Sequence, residues 1–114
     1  MAAQSVSPAT RSLIWDRDNF ECRRCYRMGE QINHRHPRQM GGTRRAWVNL
    51  PANLVLLCAS CHEWIETHRT LAADRGWLVP EGIDPATVPV LTVWGDIFLD
   101  NAGGVHAAEG ANLW

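Results

Sequence analysis

No stretch of this 114-residue chain approaches the roughly 20 consecutive apolar residues of a membrane span, and Met1 to Thr10 holds no apolar run of the length a signal peptide requires. The expectation is a soluble, cytosolic protein with no membrane partner. Internal repeats and low-complexity tracts are absent as well, which excludes a solenoid or a disordered spacer. Lysine is missing altogether: all eleven basic residues are arginine. Arginine suits bidentate recognition of phosphate, and a genome rich in G and C produces the same bias without a functional cause, so both explanations stay open.

A chain this short buries only roughly 60 to 70% of the surface its unfolded state exposes. Six Trp and a hydrophobic fraction of 46% supply a thin core, and a small fold with long loops usually needs a metal or disulfides to hold it. Four cysteines are present, in two Cys-x-x-Cys pairs. In a reducing compartment such pairs point to metal rather than to disulfides. The net charge of -1 conceals an asymmetry: residues 1–45 carry nine Arg against four acids (Asp16, Asp18, Glu21, Glu30), and residues 46–114 carry two Arg against eight acids. The basic first part suits an anionic partner, with an affinity that is modest and salt-sensitive because the whole chain is not basic.

Ser7-Pro8 followed by Ala9 to Asp18 predicts a short helix, with Ser7 as N-cap and Pro8 at its first position. Cys22 to Cys25 is a tight knuckle. Gln31 to His36 has the look of a short strand that Pro37 interrupts, and a loop of about fifteen residues (38–52), with Gly41-Gly42 in it, has the length of a functional loop. Leu54 to Leu57 predicts a buried strand, and Ala59 to Arg75 one helix closed by Gly76 at its C′ position. Val88 to Trp94 and Ile97 to Asp100 predict a hairpin turned at Gly95-Asp96, with a loose segment from Gly103. Trp15, Trp47, Trp64, Trp77 and Trp94 are expected in the core or a lid rather than as stacking platforms.

Cys22-x-x-Cys25 and Cys58-x-x-Cys61 have the spacing with which two thiolate pairs grip a tetrahedral zinc, and four thiolates leave no open position, so such a zinc is structural. Chemistry must then come from other groups. Between and after the knuckles stand Asn33-His34-Arg35-His36-Pro37, Gly41-Gly42, Asn53-Leu54 and Cys61-His62, in that order. Over Cys22 to His68 the sequence resembles the HNH endonuclease family, in particular its small phage-encoded members with a four-Cys zinc site.

The resemblance implies a small single α+β domain with a ββα-metal (His-Me finger) core, a structural Zn²⁺ and a C-terminal hairpin. The parts would be an N-terminal helical segment (1–21), the core (22–76), the hairpin extension (77–102) and a flexible tail (103–114). It further implies a metal-dependent DNA endonuclease, nicking or cutting both strands to 5′-phosphate and 3′-hydroxyl ends. His34 takes the place of the general base, Asn53 that of the Asn that ties the loop, and His62 that of a ligand to a catalytic Mg²⁺ or Mn²⁺. Asn33 and Glu66 stand as further ligands, and Arg38, Arg44 and Arg45 as DNA phosphate contacts. Asn33 departs from the Asp, Glu or His that relatives place before the base. Phage relatives suggest a role in genome packaging beside a terminase large subunit, in the host cytoplasm. A non-catalytic zinc module that binds nucleic acid or protein through a degenerate HNH site is the alternative, with a redox or purely structural zinc protein behind it.

Overall fold

The computed structural model describes residues 6–37 and 46–108. Helix α1, Pro8–Arg17, starts where Ser7 Oγ accepts the Thr10 N–H at 3.2 Å and Pro8 fills the first turn. It stops in a left-handed pair, Asn19 (φ 58) and Phe20 (φ 62). Asn tolerates that conformation and Phe does not; the Phe20 ring sits edge-on to Trp15 at 5.7 Å, and its N–H bonds Trp15 O at 2.9 Å.

Strands β1, Gln31–His34, and β2, Leu54–Leu57, form an antiparallel ribbon that pairs Ile32 with Leu56, Asn33 with Val55 and His34 with Leu54. Both faces of β2 are covered. Leu54 and Leu56 pack with Ile14 of α1 and with Ile32, while Val55 and Leu57 join the main core with Cys58, Cys61, Ile65, Ala72 and Trp77. A strand covered on both sides reads as a continuous apolar run rather than an alternation, which is why Leu-Val-Leu-Leu stood out in the sequence. Gly29 lies against Leu56, where an added Cβ would collide with the leucine side chain.

Two buried charges lock this arrangement. Asp18 accepts from Arg17 Nε (2.7 Å), Arg23 Nη2 (2.6 Å) and the Leu56 N–H (2.9 Å), tying α1 and the first knuckle to β2. Burial alone would raise its pKa, but hydrogen bonding by Arg17 and the charges of Arg17 and Arg23 hold the carboxyl below 3.8. Arg35 is fully buried and donates to four carbonyls, those of Gly76 (2.9 Å), Ala52 (2.8 Å), Pro85 (3.0 Å) and Val88 (2.7 Å). Burial first, and then repulsion from Arg17, lowers its pKa to about 10.

The single helix expected over 59–75 is two: α2, Ala59–Thr67, and α3, Arg69–Asp74, broken at His68 (φ -131, ψ 51). Side chains compete for the backbone at the break. Thr67 Oγ1 bonds Glu63 O at 3.0 Å and His68 Nδ1 reaches Trp64 O at 3.0 Å, the local bonding by which hydroxyl side chains disturb helices. Gly76 follows α3 with φ 81, and a Cβ there would strike the Pro89 carbonyl.

The C-terminal part is a three-stranded antiparallel sheet of β3 (Val90–Thr92), β4 (Gly95–Leu99) and β5 (Val105–Ala107). The hairpin turns at Val93-Trp94 rather than at Gly95-Asp96, because Thr92 pairs with Gly95; Thr92 Oγ1 closes the turn on Gly95 O at 2.6 Å. The expectation of a loose segment from Gly103 also gives way: Val105 pairs with Leu99 and Ala107 with Ile97. Asp100 organises that turn, accepting the N–H groups of Ala102 (2.9 Å) and Gly104 (2.7 Å) and facing His106 Nε2 at 2.6 Å. Trp77 is buried at 1% exposure, and Trp94, expected in the core or a lid, is 75% exposed. Among the described residues no helix is long and apolar enough to cross a membrane.

Candidate functional site

The fold brings the four cysteines together from two places. Cys22 and Cys25 come from a turn in which Tyr26 takes φ 66 and the Arg23 N–H bonds Leu56 O at 2.8 Å; Cys58 and Cys61 open α2 immediately after β2. Their Sγ atoms all lie within 4.8 Å of one another, with Cys25 and Cys58 at 3.6 Å. A disulfide needs about 2.0 Å, whereas the edge of a tetrahedron around zinc, with Zn–S of about 2.3 Å, is about 3.8 Å. The donor set therefore fits a metal ion of the kind zinc provides, and all four are free cysteines. Burial pushes the Cys61 thiol up to about 12, so uptake of a cation would release its proton. Arg24 Nη1 donates to Cys61 Sγ at 3.3 Å, and its guanidinium lies 3.7 Å from the centre of the Trp64 ring, which in turn stacks on His68 at 4.9 Å.

The residues between the knuckles converge on the end of the ribbon. His34 is the last residue of β1, and its Nε2 lies 2.8 Å from Asn49 Oδ1. With an amide oxygen as partner, Nε2 carries the proton and the proton-accepting lone pair is on Nδ1. Asn53 is buried at 1% exposure; its Oδ1 accepts the His36 N–H at 2.8 Å, and its Nδ2 donates to Val48 O (2.8 Å) and His36 O (3.2 Å). One side chain thus fastens both ends of the long loop. Arg35 N–H continues the ladder to Asn53 O at 2.7 Å, so the backbone around His34 is held on both sides.

Strand alternation separates Asn33 from His34. Asn33 shares the ribbon face of Val55 and Leu57, the side of Cys61 and Ile65, and His34 shares the face of Leu54 and Ile32. Asn33 Nδ2 meets His34 O at 3.4 Å. On α2, His62 Nε2 lies 3.9 Å from Glu66 Oε2, and Glu66 also pairs with Arg69 at 3.1 Å. Among the described residues the four cysteines are the one group of three or more His, Cys, Asp or Glu ligands close enough to share an ion. Arg38, Arg44 and Arg45 lie outside the described residues.

Asn49 and Arg35 escaped the sequence reading. Asn49 is the one polar residue in Trp47-Val48-Asn49-Leu50-Pro51, which is a signal for a directed amide; Arg35 looked like one more basic residue of an arginine-rich segment. His36 is buried, with Nδ1 2.9 Å from Val79 O and Nε2 3.2 Å from Glu81 Oε1. Comparison of the chain with protein-family models, with curated proteins and with solved structures finds no match.

Proposed function

We propose that this protein is a metal-dependent DNA endonuclease of the HNH type, in which the four-cysteine cluster holds a structural zinc and the ribbon end carries the chemistry. The observation that carries this reading is the environment of His34: an imidazole fixed by Asn49 at 2.8 Å, on a strand end whose loop is fastened by Asn53. A group meant to take a proton needs that fixed orientation and a pKa near neutrality, which imidazole has.

His34 then acts as general base toward a water molecule, with Asn49 as its positioning residue. Asn53 ties the backbone at His36 to that at Val48 beside the site. His62 and Glu66, a turn apart on α2 with half-open side chains, form a donor pair suited to a weakly held, exchangeable cation, and Asn33, next to His34 at the strand end but on the opposite ribbon face, offers a third, uncharged oxygen. A bound Mg²⁺ or Mn²⁺ would supply charge stabilisation at the phosphate and the leaving 3′ oxygen. Substrates of this reading are DNA strands, with Arg38, Arg44 and Arg45 as phosphate contacts and a terminase large subunit as a partner.

The second reading, a zinc module without catalysis, draws on the Glu66–Arg69 ion pair at 3.1 Å, since a carboxylate held by arginine on an exposed helix face is an ordinary surface feature. Metal counting separates the two. The nuclease binds one tight zinc by elemental analysis and one exchangeable Mn²⁺ by electron paramagnetic resonance, and His62→Ala abolishes the second while leaving the first. Zinc alone in the wild-type protein would favour the module.

A further inference from the structure

The first knuckle and the β3–β4 hairpin enclose a groove of about 720 Å³ lined by Arg24, Arg75, Trp77, Leu91, Val93 and Asp96. Its rim breaks a rule of hairpin chemistry. The two central residues of a two-residue turn are usually Gly, Asn or Asp, yet here they are Val93 and Trp94, 74% and 75% exposed. Neither supports the turn nor fills the core. Trp94 instead meets Tyr26 of the knuckle edge-on at 6.1 Å, so two aromatic rings from separate elements stand together beside the groove.

The charges around these rings are cationic and underused. Arg24 is held in place by the Trp64 ring and Cys61 Sγ. Among the described residues no carboxylate pairs with Arg24, Arg75 or Arg27, since the arginine ion pairs go to Asp18 and Glu66. Asp96 is the one carboxylate lining the groove. A held arginine and an exposed one, beside an exposed indole and a half-buried phenol ring, offer what a single nucleic-acid strand needs: cations for its phosphates and ring faces for its unstacked bases.

We propose that this groove takes an unpaired nucleic-acid strand, stacking bases on Trp94 and Tyr26 and seating phosphates on Arg75 and Arg24. The proposal rests on the DNA-cutting reading only in choosing DNA as the probe. It gives the protein a second contact with its substrate, on the knuckle-and-hairpin side and apart from the His34 end of the ribbon.

The test uses the full-length, zinc-loaded protein carrying His34→Ala, so that cleavage cannot consume the probe, and a fluorescein-labelled 20-mer of oligo(dT) read by anisotropy over a series of KCl concentrations. Trp94→Ala in this background should weaken binding roughly 5- to 150-fold, with zinc content and circular dichroism unchanged because the ring is exposed. Arg75→Gln should weaken binding and reduce the slope of log affinity against log salt by about 0.7, the value for one phosphate contact on a single strand. Absence of oligonucleotide binding in the parent, or unchanged affinity in both variants, would overturn the proposal. So would sedimentation showing a dimer that Trp94→Ala dissolves while oligonucleotide binding stays the same, since the patch would then join copies of the chain. The nuclease reading fails separately: wild-type protein that binds the 20-mer through Trp94 and Arg75 but never cuts DNA keeps the groove and loses the enzyme.

Discussion

Replacing Arg35 with Met removes a side chain that bonds four carbonyls on three backbone segments, at 52, 76 and 85–88. Methionine fills much of the same volume but donates nothing, so the carbonyls of Gly76, Ala52 and Val88, now bonded at 2.7 to 2.9 Å, lose the guanidinium, while that of Pro85 (3.0 Å) keeps the Val88 N–H at 3.2 Å. At roughly 2 kcal/mol for each of the three acceptors left without that donor, the loss is about 6 kcal/mol. Against it stands the relief of burying a cation: the depression of the Arg35 pKa from 12.5 to about 10 corresponds to about 3 kcal/mol. The net cost of about 3 kcal/mol is more than half of the roughly 5 kcal/mol at the lower end of domain stability. Arg35→Lys keeps the charge and up to three donors and should lose less. Urea unfolding of the zinc-loaded proteins, followed by tryptophan fluorescence, measures both. An Arg35→Met protein as stable as its parent would refute the claim that the guanidinium holds the ribbon end to the segments around 76 and 85–88.

Asp18→Asn should cost roughly 3–5 kcal/mol at neutral pH, where it breaks a buried ion pair. Because the folded-state pKa lies below 3.8, the carboxylate's contribution is full above that value and is lost as pH falls through the lower folded value; the gap between the urea midpoints of parent and variant should close in acid, and zinc release affects both chains alike. Stripping the metal with a strong chelator should unfold the chain, since structural zinc supplies roughly 10 kcal/mol or more; an unchanged near-ultraviolet dichroism after complete zinc loss would contradict the staple. Asn49→Ala should lower DNA cleavage about 100-fold through misplacement of His34, whereas Asn49→Asp should move the acid limb of the pH–rate profile upward, because a carboxylate beside the ring favours its protonated form. Unshifted profiles in both variants would reduce Asn49 to a structural role.

The local signals in the sequence carried well where one short stretch held all the needed information. Ser7-Pro8 placed the start of α1, the unbroken Leu54–Leu57 run placed β2, Gly76 marked the end of the helical region, and the two Cys-x-x-Cys pairs marked the four-cysteine cluster that could hold a metal. What failed depended on partners distant in sequence or on side chains that override propensity. The break at His68 comes from Thr67 and His68 bonding back onto α2, and the strand at Val105–Ala107 forms because Asp100 builds a turn that returns the chain along β4. The expected turn lies two residues too late because Gly95-Asp96 is a good turn dipeptide by composition, whereas Thr92 pairs with Gly95 and closes the turn at Val93-Trp94. At the candidate site, His34 and Asn53 were legible as residues, but the bond from His34 to Asn49 spans fifteen positions, and the four acceptors of Arg35 are spread from Ala52 to Val88. No periodicity reports such contacts.

The most direct test of the proposed function is cleavage of supercoiled plasmid at low salt by the zinc-loaded wild-type protein and by His34→Ala, each in EDTA, in Mg²⁺ and in Mn²⁺. Nicked or linear DNA that forms only with added divalent metal, and not with His34→Ala, is the predicted result. Equal cleavage by His34→Ala, or none by a folded, zinc-containing wild-type protein under any of the metals, would contradict it.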